Sequence, residues 1–185
     1  MLIAGAPGSG KSTLALALAK KLGIHQLIGT DTIREVLRSC INADKCPTLH
    51  TSAILACDLA PKGSDKMTWG FERQAIDVKP GIDAVIKRAE KEGKDLILEG
   101  IHLLPGLYKI DDNTLHILLT VPDEEQHLKQ LIGQGNSRST YKVDNFRKAR
   151  AFQDYLSNKA REHDVLIIKN VTLKKTIDDI VLHMP

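Results

Sequence analysis

The chain has 185 residues, 20.4 kDa and 42% hydrophobic residues, enough for one compact core and too little for two full domains. Its net charge of +3 and pI near 8.7 arise from Lys and Arg scattered among acids, which excludes a basic nucleic-acid tail and leaves small anionic ligands as the fitting partners. Three cysteines, Cys40, Cys46 and Cys57, without a C-x-x-C pair exclude a disulfide framework and a zinc knuckle; with no bilayer-length apolar run and no leader pattern at the N-terminus, a cytoplasmic protein with no membrane partner is expected.

In chain order, the apolar run Leu2 to Ala4 enters "GAPGSGKST", and "LALALAKKLG" follows with the alanine and leucine content that propagates a helix until Gly23. Further short apolar runs, "QLIGT", "DLILEG", "LHILLT" and "DVLIIKN", alternate with segments of helical period such as "GIDAVIKRAEKEG" and "DEEQHLKQLIG". The alternation predicts an α/β fold of three layers, a parallel sheet of about five strands with helices on both faces, as a single domain over 1–185. The stretch from Ser39 to Lys66 is less regular, with Pro47, Pro61 and Gly63, and residues 39–80 are expected to form an acceptor-side insertion. Residues 133–150, containing the polar, glycine-rich "GQGNSRST", are a candidate lid.

"GAPGSGKS" fits G-x-x-x-x-G-K-[ST] at Gly5, Gly10, Lys11 and Ser12, between a predicted strand and helix. Glycines let backbone N–H groups turn toward phosphate oxygens, and the helix N-terminus adds its positive end. The expected nucleotide-binding set is Gly5, Gly8, Ser9, Gly10, Lys11, Ser12 and Thr13, with Lys11 on the β/γ-phosphates of ATP and the Ser12 hydroxyl as a ligand for Mg²⁺. The loop does not say whether phosphate passes to water, protein or metabolite.

Asp31 follows the second apolar run and so belongs on the carboxyl edge of the sheet, where it can take a proton from an attacking hydroxyl or hold Mg²⁺; the alternative is a helix N-cap. Arg34, further into the same helix, offers a bidentate fork to a carboxylate or phosphate, or is a solvated surface residue. Glu99 ends the "DLILEG" strand on the same edge. Arg138, in the candidate lid, is placed to neutralise the transferring phosphoryl group.

The segments "GTDTIREVLR", "PTLHTSAILA", "GFERQAIDVKPGIDAVIKRAEKEGKDLILEGIHLLPG" and "NFRKARAFQDYLSNKA" resemble the archaeal 2-phosphoglycerate kinases, from the phosphate loop to about Val171. The resemblance implies a nucleoside-kinase-like P-loop fold and transfer of the ATP γ-phosphate to 2-phosphoglycerate. It raises His50 and His102 as acceptor contacts, for which packing or surface is the alternative, while Arg73 and Gln74 of "GFERQ" are expected to face the acceptor or else to form a solvated helix face. Two departures stand out: longer family members carry an extra N-terminal nucleotide-binding regulatory region, and their lid is richer in arginine. The expected partner is a small phosphorylated hydroxy acid. Rival readings are a P-loop kinase for a sugar acid, nucleoside or RNA end, which the scattered charge disfavours for RNA, and an ATP-binding regulatory switch.

Overall fold

The structure, a computed structural model, describes residues 1–109, 111–133 and 146–184. Strands β1 (Leu2–Gly5), β2 (Gln26–Gly29), β3 (Leu96–Gly100), β4 (His116–Thr120) and β5 (Leu166–Lys169) form one parallel sheet in the order β2-β3-β1-β4-β5. They are joined through α1 (Lys11–Leu22), α2 (Thr30–Cys40), two short 3-10 turns (Pro47–His50 and Ala56–Leu59), α3 (Lys66–Glu92), α4 (Glu124–Ile132) and α5 (Phe146–Glu162), and α6 (Leu173–Val181) closes the chain. The apolar runs read as strands all enter the sheet.

Strand period places successive residues on opposite faces, and the sheet obeys it. Leu2, Ala4, Leu98 and Leu118 pack toward α2, α3 and α5, whereas Ile3, Ile97, Ile117 and Leu119 pack toward α1 and α6. Burial on both faces is what allows the strands to be nearly continuously apolar. The three layers expected from the sequence are therefore present.

The order of strands has a consequence for the site. From β1 the chain crosses to β2 at one edge, returns through β3 beside β1, and then builds β4 and β5 on the other side. The carboxyl end of β1 thus lies where the direction of winding reverses, the place where open α/β sheets bind ligands.

Of residues 39–80, those from Lys66 onward are not loop but the first half of α3, which runs 27 residues straight through Pro80. Asp65 caps it by accepting from the Met67 amide. Loss of one helical N–H at Pro80 is offset because Phe71, Gln74, Ala75, Val78 and Ile82 bury one long face against the sheet. The buried residues Phe71, Gln74, Ala75, Val78 and Ile82 keep helical spacing throughout, and it is Gly70 and Pro80, residues that ordinarily interrupt a helix, that obscure its continuity in the sequence.

Phe71 and the equally buried Phe152 of α5 pack with ring centroids 5.4 Å apart, locking α3 to α5. Phe152→Ala is expected to lower the unfolding free energy by about 3–5 kcal/mol, read from urea titration.

Candidate active site

The phosphate loop runs from the end of β1 into α1. Gly10 adopts φ 86° as the residue before the helix, and a side chain there would stand 2.7 Å from the Asn170 amide nitrogen. No side chain caps α1, so its first amides are left for a ligand. Turning N–H groups inward turns carbonyls outward, and three of these are taken by side-chain donors. Lys11 Nζ donates to the Ala6 carbonyl at 2.8 Å, His127 Nε2 to Pro7 at 2.8 Å, and Asn170 Nδ2 to Ser9 at 2.8 Å. The open cleft beside the loop, about 500 Å³, is lined by Gly8, Gly10, Lys11, Ser12 and Thr13 together with Gln126, Gln130, Asn170, Val171 and Leu173.

On the other side of β1 lie the acids. Glu99 is the last residue but one of β3, in register with Ile3 of β1 and Gly29 of β2, and its Oε1 accepts from Ser12 Oγ at 3.0 Å. Asp31 sits in the first turn of α2, exposed at the edge; the helix start is Gly29, whose neighbour Thr30 is already helical, so Asp31 is not the N-cap. Burial pushes the Lys11 ammonium below its ordinary pKa, an effect opposed by the negative charges of Glu99 and Asp31.

Behind Asp31 runs a buried chain of hydrogen bonds. Gln74 donates through Nε2 to the carbonyls of Thr48 at 2.6 Å and Thr51 at 3.0 Å, so its Oε1 faces His102 Nε2 at 3.1 Å as acceptor. His102 must then carry its proton on Nε2, and Nδ1 accepts from the Thr30 hydroxyl at 2.8 Å. Thr30 can approach so closely because residue 100 is glycine: any side chain there would collide with the Thr30 side chain. Burial pushes His102 down to about 4, which keeps it neutral as the network requires.

Several residues expected to face an acceptor have other work. Gln74 and His102 are fully buried and reach the edge only through Thr30. Arg34 is mostly buried and directs Nη1 to the carbonyls of Leu49 at 2.8 Å and Thr51 at 2.9 Å, with Nη2 on Glu35; only its Nε turns toward Asp31, 3.6 Å away. His50 Nε2 meets the Ile41 carbonyl at 2.8 Å, tying the first 3-10 turn to the end of α2. Arg73 remains half-exposed and pairs with Asp77, which also accepts from Thr48 Oγ1. Arg138 lies outside the described residues, as does most of the candidate lid, while the last part of 133–150 belongs to α5.

His127, Gln126 and Asn170 escaped the sequence reading. Asn170 follows β5, a polar residue at a strand end on the same edge as Asp31 and Glu99, and that position was its available signal. No comparable signal marks His127, whose role depends on α4 being seated against the loop.

The family described as "AAA domain" matches residues 1–153. The chain belongs to this family. It is also 39% identical over 193 residues to a protein of Thermococcus kodakarensis named 2-phosphoglycerate kinase, covering 100% of this chain and 65% of that protein. Proteins of the same name from Pyrococcus furiosus and Methanocaldococcus jannaschii are 41% and 37% identical, covering 98% and 96% of this chain and 62% and 60% of theirs. The chain thus spans less than two thirds of the length of these relatives. Among solved structures, TT1252 from Thermus thermophilus superposes with TM-score 0.59 at 15% identity, covering 100% of this chain and 96% of that one. An uncharacterised protein of Eubacterium ventriosum gives 0.58 at 16%, covering 99% and 96%. These two bear on the fold alone.

Acid should loosen this architecture. His102 and His116 are each pushed down to about 4 by burial, whereas in the unfolded chain they titrate near 6.5. Between those values the unfolded state binds more protons, so stability is lost as pH falls from 6.5 toward 4. Urea midpoints are expected to drop across that window, and the double variant His102→Gln, His116→Gln to show a flatter pH dependence.

Proposed function

We propose that this chain is the kinase domain of a small-molecule phosphotransferase that moves the γ-phosphate of ATP to the free hydroxyl of 2-phosphoglycerate, giving 2,3-bisphosphoglycerate. One observation carries the reading: two carboxylates, Asp31 in the first turn of α2 and Glu99 near the end of the adjoining strand β3, both bear electrostatically on the phosphate-loop lysine, yet only Glu99 bonds to Ser12. A metal held at Ser12 and Glu99 would leave Asp31 for a hydroxyl. A nucleotide switch has no use for that second acid, and the relatives' name supplies the acceptor.

In this reading the loop amides and Lys11 hold the β/γ-phosphates. Ser12 Oγ and Glu99 Oε1, 3.0 Å apart and both oxygen donors, suit Mg²⁺, which takes one or two carboxylates and completes its shell with phosphate and water. Mg²⁺ neutralises charge on the β- and γ-oxygens when bound.

Asp31 accepts the proton of the acceptor hydroxyl as the new O–P bond forms and the bond to the ADP oxygen breaks. Arg34 fixes the Leu49–Thr51 backbone through Nη1 and directs Nε toward Asp31 at 3.6 Å, and in this reading it and the half-exposed Arg73 supply the positive charge that draws the anionic acceptor. Catalysis is mainly positioning and electrostatics.

Asp31→Asn is expected to keep MgATP affinity while kcat falls roughly 10²-fold or more, measured by coupled ADP release with 2-phosphoglycerate. In the wild type, glycerate should be a poor acceptor for want of the second anion. Glycerate or gluconate outperforming 2-phosphoglycerate would overturn the acceptor, and an ATPase rate indifferent to every acceptor would overturn the kinase.

A further inference from the structure

The phosphate loop is held from behind by a histidine that no part of the phosphoryl-transfer chemistry uses. His127, in the second turn of α4, is fully buried, and its Nε2 lies 2.8 Å from the Pro7 carbonyl. A carbonyl can only accept, so Nε2 carries the proton and Nδ1 is bare. Nδ1 in turn faces Arg150 Nη1 at 3.4 Å, a donor whose main bond is to the Val121 carbonyl at 2.8 Å. The ring is oriented on its face by Phe146, edge-on at 5.5 Å. Arg150 and Phe146 both belong to α5, so one imidazole joins the phosphate loop to α5 as well as to its own helix.

The same helix secures the loop's far side. Leu131 lies against Gly8, and Gln126 Nε2 donates to the carbonyl of Asn170 at 3.2 Å, whose side chain holds Ser9. Pro7 has no N–H of its own, so its carbonyl is the handle through which its peptide plane can be set. If that carbonyl rotated inward, it would present a negative dipole to a polyphosphate, and the following Gly8 amide would turn with it.

We propose that His127 is a positioning residue of the nucleotide site: by donating from Nε2 to the Pro7 carbonyl, with Arg150 and Phe146 fixing its tautomer and plane, it holds the phosphate loop in the conformation that accepts a polyphosphate. The proposal rests on the loop being the ATP site. It makes affinity for nucleotide depend on a residue that touches none of it.

The neutral ring is essential to the arrangement. The charged groups bearing on His127 are Arg150 and Lys11, which disfavour its protonation, and Glu124, which favours it; burial is the larger influence and lowers its pKa below the ordinary imidazole value. At neutral pH it is therefore uncharged. Protonation of Nδ1 in acid puts a cation against Arg150 and removes that acceptor, so the wild type should lose MgADP affinity as pH falls below the ordinary imidazole range.

The test is calorimetric titration of the full chain with MgADP. His127→Phe keeps ring volume against Phe146 but removes the donor, and should weaken binding about tenfold or more, the size expected when a carbonyl loses a buried partner. His127→Gln retains an N–H donor and should recover part of the loss, without the acid-dependent weakening seen in the wild type. A purely structural histidine would give variants that melt lower yet bind normally. Where His127→Phe fails to fold, ¹⁵N-resolved imidazole NMR of the wild type decides: a neutral Nε2–H tautomer whose resonance moves on MgADP addition supports the proposal, and an Nδ1–H tautomer or an unmoved resonance overturns it. Equal affinity of wild type and His127→Phe overturns this inference alone, whereas no nucleotide binding by the wild type overturns the ATP-site reading as well.

Discussion

Every peptide unit that turns its N–H toward a phosphate turns its C=O away from it, and a carbonyl turned into protein needs a donor. The phosphate loop meets this constraint with Lys11 on Ala6, His127 on Pro7 and Asn170 on Ser9. Much of the fold's right half is explained by that need. The order β1-β4-β5 brings α4 and the residue after β5 to the loop's outer side, and the absence of a side chain at Gly10 leaves room for the Asn170 amide. Lys11 has a double position, since its ammonium donates to a carbonyl of its own loop while the charges of Glu99 and Asp31 oppose the effect of burial on it.

The left half, β3 and β2 with α2 and α3, presents the acids. Its constraint is that Asp31 belongs to the first turn of a short helix and must be fixed by its neighbours. Thr30 below it is hydrogen-bonded to His102, His102 to Gln74, and Gln74 to the same Thr51 carbonyl that Arg34 binds from above. The two ends of this path both start on α2, so the first turn is clasped from both sides. Buried polar chains of this kind are stable only when their members are satisfied, and Thr30, His102 and Gln74 are, while the Arg34 Nε has only the Asp31 carboxylate at 3.6 Å.

What was legible in the sequence followed from spacing and from strand ends. The phosphate loop is a fixed pattern in a fixed context, and a parallel sheet puts the ends of its strands on one edge, which is why Asp31 and Glu99 can be assigned to that edge from sequence. What was not legible was direction. Arg34, His102 and Gln74 are residue types that suit an anionic acceptor, yet nothing in spacing tells whether a polar side chain points to ligand or to a backbone carbonyl. That is decided by the 3-10 segment after α2, whose carbonyls lack partners of their own. The passage of α3 through Pro80 was hidden for a similar reason, since tertiary burial outweighs a local helix breaker. Asn170 and His127 serve backbone groups distant in sequence, and only the assembled sheet brings them together.

The central claim is that the loop's amides, freed by its tied-back carbonyls, are the seat of the nucleotide's phosphates. Backbone amide resonances of Gly8 to Thr13, followed by ¹H–¹⁵N NMR during titration with MgADP, test it most directly. Saturable downfield shifts centred on Gly8, Gly10, Lys11 and Ser12 are predicted, because an amide that donates to a charged oxygen is deshielded. Saturable binding that leaves these amides unmoved would contradict the account.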